Sequence, residues 1–155
     1  ILTIENTVFT GNDASDDGGA VYLRAASVDF VNVVMDNNEG PGAGAMSVKG
    51  ATATLTNTIL SNNDGGPVVY VETTEDAAGS VELSYSNIWQ NDNGFSGMDS
   101  PVGSDGNIDE NPDFASTSDY TLDSSSPCID AGDPTIRDRD GSRSDMGLHG
   151  GPSAP

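Results

Sequence analysis

Two places in this chain gather residues able to do chemistry. One is Asp138-Arg139-Asp140-Gly141-Ser142-Arg143-Ser144-Asp145, where carboxylates recur at alternate positions around a glycine, with Asp133 a little upstream. Oxygen donors in that pattern suit a hard cation such as Ca²⁺. The match to an EF-hand loop is partial, since Ile136 stands where a further Asp would be and no Glu closes the loop. Arg137, Arg139 and Arg143 crowd the same stretch. An Arg–Asp network that pins the segment to the rest of the fold is therefore the competing reading. The other place is the pair Arg24 and Lys49, 25 residues apart, each closing an alternating stretch (Tyr22-Leu23-Arg24 and Ser47-Val48-Lys49). Tyr70-Val71-Glu72 follows at the same place, so Arg24, Lys49 and Glu72 are expected to form one column. Its plainer reading is a surface ion pair, Lys49 with Glu72, of small energetic value. Cys128 is the only cysteine and His149 the only histidine. A buried apolar role suits the first, between Pro127 and Ile129, and a turn role suits the second, in Gly147-Leu-His-Gly-Gly.

Composition narrows the partners. The chain has 155 residues, enough for one domain, with 25 acidic residues against five Lys and Arg, a formal charge of -20. Such a surface is repelled by nucleic-acid phosphates and anionic lipid headgroups. No apolar run approaches the ~20 residues of a membrane-spanning helix, so no membrane insertion is expected. With one cysteine there is no internal disulfide.

The elements that position these residues come from a repeat. Asn6-Thr-Val-Phe-Thr-Gly-Asn12 recurs as Asn32-Val-Val-Met-Asp-Asn-Asn38 and Asn57-Thr-Ile-Leu-Ser-Asn-Asn63, and more weakly as Ser86-Asn-Ile-Trp-Gln-Asn-Asp92. The steps are 26, 25 and 29 residues. Each copy follows an apolar–polar–apolar run (Leu2-Thr-Ile4, Val28-Asp-Phe30, Ala53-Thr-Leu55, Val81-Glu-Leu83), the period of a half-buried strand. A third short strand lies between copies, at Gly19–Leu23, Gly44–Val48 and Val68–Val71. Gly, Asn and Asp separate the strands, as turn geometry requires. No stretch shows a helical apolar period.

Three short strands per unit describe one coil of a parallel β-helix, whose coils bury a common column only when stacked. The expected fold is all-β: about four coils over residues 1–99, a loop-rich closing segment over 100–151, and the start of a linker at 152–155. The expected core includes Ile4, Phe9, Phe30, Leu55, Ile59 and Leu83, with Trp89 inward. Asn6, Asn32 and Asn57 share one place in successive coils, and Asn12, Asn38 and Asn63 another, so both rows are expected to form asparagine ladders. Thr52, Thr54 and Thr56 hint at an ice-binding face, but Asp29 and Glu82 flank Thr54 and break any flat threonine array. Because Ile1 opens in mid-pattern, further coils or another chain are expected over that end.

These repeats resemble the right-handed parallel β-helices of the pectate-lyase-like superfamily. The final segment resembles a C-terminal signature of secreted bacterial β-helix proteins. Tyr120, Leu122, Ser126, Pro127, Ile129, Asp130, Ala131, Gly132 and Asp133 match its first half. Asp138, Asp140, Gly141, Ser142, Arg143, Asp145, Met146, Gly147, Gly150 and Gly151 match its second. Leu148 and His149 depart from it, where Ala and an aromatic are usual. The resemblance implies secretion, at the cell surface or outside the cell. It implies little about activity, because this architecture hosts lyases, hydrolases, adhesins and surface proteins alike. The function expected is a non-enzymatic structural or adhesive module, calcium-stabilised, with a polysaccharide or cell-surface partner, and able to extend head-to-tail through open strand edges. The alternative is a lyase or hydrolase acting on acidic polysaccharide. In lyase relatives an Arg or Lys beside Ca²⁺-binding carboxylates removes the proton next to a uronate carboxylate, a role that would fall to Arg24 or Lys49.

Overall fold

A computed structural model describes all 155 residues. It contains twelve strands and no helix. The first coil holds β1 (Leu2–Glu5), β2 (Val8–Thr10) and β3 (Val21–Arg24). The second holds β4 (Ser27–Val31), β5 (Val34–Asp36) and β6 (Met46–Lys49). The third holds β7 (Thr52–Thr56), β8 (Ile59–Ser61) and β9 (Pro67–Glu72), and the fourth β10 (Ser80–Ser84), β11 (Asn87–Trp89) and β12 (Asn93–Ser96). Every pairing between coils is parallel. The result is three four-stranded sheets, β1-β4-β7-β10, β2-β5-β8-β11 and β3-β6-β9-β12. This is a parallel β-helix of four coils.

The corners explain much of the asparagine. Asn6, Asn32, Asn57 and Tyr85 turn the chain from the first sheet to the second with φ of 44, 54, 54 and 48°. Gly11, Asn37, Asn62 and Gln90 turn it out of the second sheet with φ of 64, 54, 53 and 47°. A single left-handed residue bends the chain sharply, at a cost of roughly 1–2 kcal/mol for most L-residues that Gly and Asn largely avoid.

Three inward columns fill the rod. Ile4, Phe30, Leu55 and Leu83 stack in the first sheet, and Phe9, Met35, Leu60 and Ile88 in the second. The third sheet contributes Val21, Met46, Val69 and Phe95. Ile4 and Phe9 are only partly buried, because no coil within residues 1–155 stacks on the outer side of the first, where Ile1 is 93% and Leu2 59% exposed. Two core expectations change. Ile59 is fully buried, but on the outward side of β8 in a separate apolar cluster. Trp89 pairs with Ser61 on the outward side of β11 and is half-buried. The fourth coil is 28 residues from the third, not 29, which moves every residue of β11 to the other face.

One asparagine row stacks as a ladder, with a fourth rung. The Nδ2 groups of Asn12, Asn38 and Asn63 donate to Oδ1 of Asn38, Asn63 and Asn91 at 2.8, 2.9 and 2.9 Å. The backbone N–H of each donates to the same oxygen. The second amide hydrogens of Asn38, Asn63 and Asn91 meet the carbonyls of Phe9, Met35 and Leu60.

Residues 105–108 then lie against the fourth coil. The N–H of Tyr85 donates to Asp105 and that of Ile88 to Ile108. Asn107 accepts from the Ser86 N–H and donates to the Leu83 carbonyl. Replacing Asn63 with Ala should lower unfolding stability by about 2–4 kcal/mol, because orphaned partners cost ~1–3 kcal/mol each. Denaturant unfolding measures this, and exposed Asn93→Ala should change little.

Candidate functional site

The second asparagine row does not form a ladder. It holds the C-terminal segment, which runs back down the side of the rod from the fourth coil to the first. At the fourth coil, where Tyr85 takes the corner, Asn87 of β11 donates instead to the carbonyl of Glu110 and to Cys128 Sγ. Asn57 donates to Ser144 Oγ and accepts from the Asp133 N–H. Asn32 donates to Ser144 Oγ and the Asp145 carbonyl, and Asn6 to the carbonyls of Leu148 and Gly150. Beneath this strap, outward-facing Val34 and Ile59 pack with Tyr120, Cys128 and Met146. The closing segment thus covers one end of the rod with residues 105–108 and one side with the rest. Gly150 is required there, because a Cβ would collide with the Asp145 carbonyl and the Asn32 amide.

The Asp-rich loop is largely bound to its own backbone. Asp138 accepts from the N–H groups of Asp145 and Gly151. Asp140 accepts from the N–H and hydroxyl of Ser142, and Asp133 from those of Thr135. Asp145 accepts from the Asp130 N–H at 2.7 Å. No three His, Cys, Asp or Glu side chains converge with metal-binding geometry. The arginines of this stretch form no ion pair with its carboxylates. Arg143 bonds the carbonyls of Gly132 and Ala131 and lies over the Tyr85 ring, and both ion pairs of the chain belong to Lys49. Burial, together with the charges of Asp138, Asp130 and Asp140, pushes the Asp145 carboxyl above its usual range.

An acid row runs beside the ladder, more regular than the scattered turn acids of the sequence suggest. Asp13, Glu39, Asp64 and Asp92 each follow a ladder asparagine, and the first three are linked by parallel bridges. The signal was the dipeptide Asn-Asp or Asn-Glu recurring once per coil. A hydrogen bond between the Asp64 and Asp92 carboxyls pulls Asp64 down and pushes Asp92 up.

Arg24, Lys49 and Glu72 form the expected column across β3, β6 and β9. Lys49 Nζ lies 2.8 Å from Asp17 and 3.8 Å from Glu72, and 5.7 and 5.9 Å from the ring centroids of Tyr22 and Tyr70. The hydrogen bond to Asp17 raises its pKa, against the desolvation that would lower it. Beside it opens a groove of about 540 Å³ lined in part by Asp16, Asp17, Tyr70, Asn93 and Ser96. Ser47 stands between Tyr22 and Tyr70, and its hydroxyl is the one buried side-chain polar group without a partner. Such an orphan costs about 1–3 kcal/mol. Elsewhere, burial pushes the Cys128 thiol up to about 11, and His149 Nε2 lies 2.7 Å from the Asp119 carbonyl.

Comparison with protein-family models, curated proteins and solved structures finds no match to this chain.

These shifts imply a pH profile. Asp92 and Asp145 have raised folded-state pKa values, so their ionisation opposes folding at neutral pH. That opposition fades as pH falls through those values. Asp64, Asp119, Asp123 and Asp140 are shifted down by hydrogen bonds, so they support folding above the unfolded value and lose that support on further acidification. The thermal midpoint should therefore rise as pH falls from neutral towards the ordinary Asp range of about 4, and fall on further acidification, as a calorimetric pH series would show.

Proposed function

We propose that this chain is a non-enzymatic structural or adhesive module of an extracellular or cell-surface protein. It would belong to the pectate-lyase-like β-helix group that its repeats and its Ser126-to-Gly151 segment resemble. The observation that carries this reading is the state of Lys49. A general base must be able to give up its proton near the working pH. Lys49 is bonded to Asp17, flanked by Glu72 and set between two tyrosine faces, all of which favour the charged ammonium.

Ca²⁺ enters this reading as a stabiliser that screens rows of carboxylates on a chain of charge -20. Head-to-tail growth enters it through the unpaired edges of β1, β2 and β3, although residues 105–108 overlie the opposite end.

A second reading, a lyase or hydrolase acting on acidic polysaccharide, has one observation in its favour: Lys49 borders a groove that also holds Asp16 and Asp17. The two separate in one assay. The chain is incubated with polygalacturonate or alginate and Ca²⁺, and unsaturated products and reducing ends are followed. The structural reading predicts no turnover above that of an Arg24→Ala, Lys49→Ala double variant. Turnover that the double variant loses would establish the enzyme.

A further inference from the structure

The closing segment covers only part of the edge where the coils stop. The sole strand partner of β10 is β7, so its other edge is open. Along a strand, successive residues turn their backbone groups to opposite sides. The Ser80 N–H meets the Ala51 carbonyl and the Ser84 carbonyl meets the Asn57 N–H, so residues 80, 82 and 84 face β7. Val81, Leu83 and Tyr85 therefore face off the edge. Asp105 takes the Tyr85 N–H and Asn107 the Leu83 carbonyl. The N–H and carbonyl of Val81 and the N–H of Leu83 are left without a partner.

A groove of about 760 Å³ runs along this edge. Every residue from 81 to 85 lines it, those pointing inward and those pointing outward alike, so it follows the strand's edge rather than one face. Val81 and Leu83 turn their side chains into the core, so what they bring to the groove is backbone. Met98, Pro101 and Asp105 supply the facing wall. One corner further on, the chain already fills the same kind of edge with itself. Ile108 bridges Asn87 in parallel, donating to the Ser86 carbonyl and accepting from the Ile88 N–H. That pairing stops short of β10.

We infer that this groove takes an extended cationic peptide of a partner protein as a short parallel strand on β10. Adding a strand to an open sheet edge draws its affinity from main-chain hydrogen bonds and its specificity from alternate side chains. The peptide residue opposite Glu82 donates to the Val81 carbonyl and accepts from the Leu83 N–H. The residue two before it accepts from the Val81 N–H. Side chains at both these positions share the face of Glu82, which is exposed, and Asp105 stands across the groove. No Lys or Arg lines the groove, and the chain carries a charge of -20. Basic side chains fit those positions, and apolar ones fit between them, towards Met98 and the core column. This groove shares no residue with the one beside Lys49, so the inference stands apart from the reading of that site.

The test is titration of the whole chain, at physiological salt and up to millimolar peptide, with capped Val-Lys-Val-Lys-Val-Lys-Val, followed by amide exchange. Saturable binding should slow exchange of the Leu83 N–H by about tenfold or more. The same peptide with Glu for Lys, and the same peptide methylated on the backbone nitrogens of its lysines, should each bind about tenfold more weakly or worse. Glu82→Lys, a change at an exposed side chain, should weaken the lysine peptide by about tenfold and strengthen the glutamate peptide. No saturable binding, or a Leu83 N–H that exchanges as before, overturns the inference. Binding that backbone methylation leaves intact also overturns it, since charge attraction alone would then suffice. Sedimentation showing that the chain self-associates, and that the peptide competes with this, would give the edge to a second copy and overturn the partner peptide.

Discussion

The fold depends on stacking its coils in exact-fit register, and the asparagine ladder enforces that register. Asn38 and Asn63 each receive two donors from the preceding coil and give their own amide hydrogens to the next rung and to a strand carbonyl. Slippage by one residue would break these bonds and turn the inward columns outward. Twenty-five to twenty-eight residues separate the rungs, yet the bonds stay between 2.8 and 2.9 Å. Variation in coil length is absorbed in the loops outside the ladder. The same register brings Arg24 beside Lys49 and Tyr22 beside Ser47.

The strap is the second layer of the same design. Val34 and Ile59 point outward and would expose an apolar stripe if the rod stood alone. The C-terminal segment covers them, and the corner asparagines hold it in place. Those asparagines therefore meet two demands at once, a left-handed backbone and a side chain that reaches the strap. The segment's small and acidic residues follow from this contact. Gly150 permits close approach, while Asp138 and Asp140 fold the loop by accepting from its own N–H groups.

The architecture was legible because alternation and a repeat of 25–29 residues leave few alternatives. The Arg24–Lys49–Glu72 column was legible for the same reason, since residues one coil apart must stack. What escaped needed three dimensions. The sequence cannot separate an asparagine needed for its backbone angle from one needed for its amide, so Asn6, Asn32 and Asn57 looked like a second ladder. Tyr85 takes the corner that Ser86 was expected to hold, which shifted the fourth coil by one residue and misplaced Trp89. The partners of Lys49 were only partly visible. Glu72 followed from the repeat, but Asp17 comes from an irregular loop that the repeat does not constrain.

The central claim is that side-chain amides, rather than strand pairing alone, lock the coils in register. Residue-resolved hydrogen exchange tests it most directly. The backbone N–H groups of Asn38 and Asn63 donate to side-chain oxygens at corners outside the strands. The account predicts that they exchange as slowly as the N–H groups of β5 and β8, only with global unfolding. Exchange at the rate of ordinary turn amides, while the strands remain protected, would contradict it.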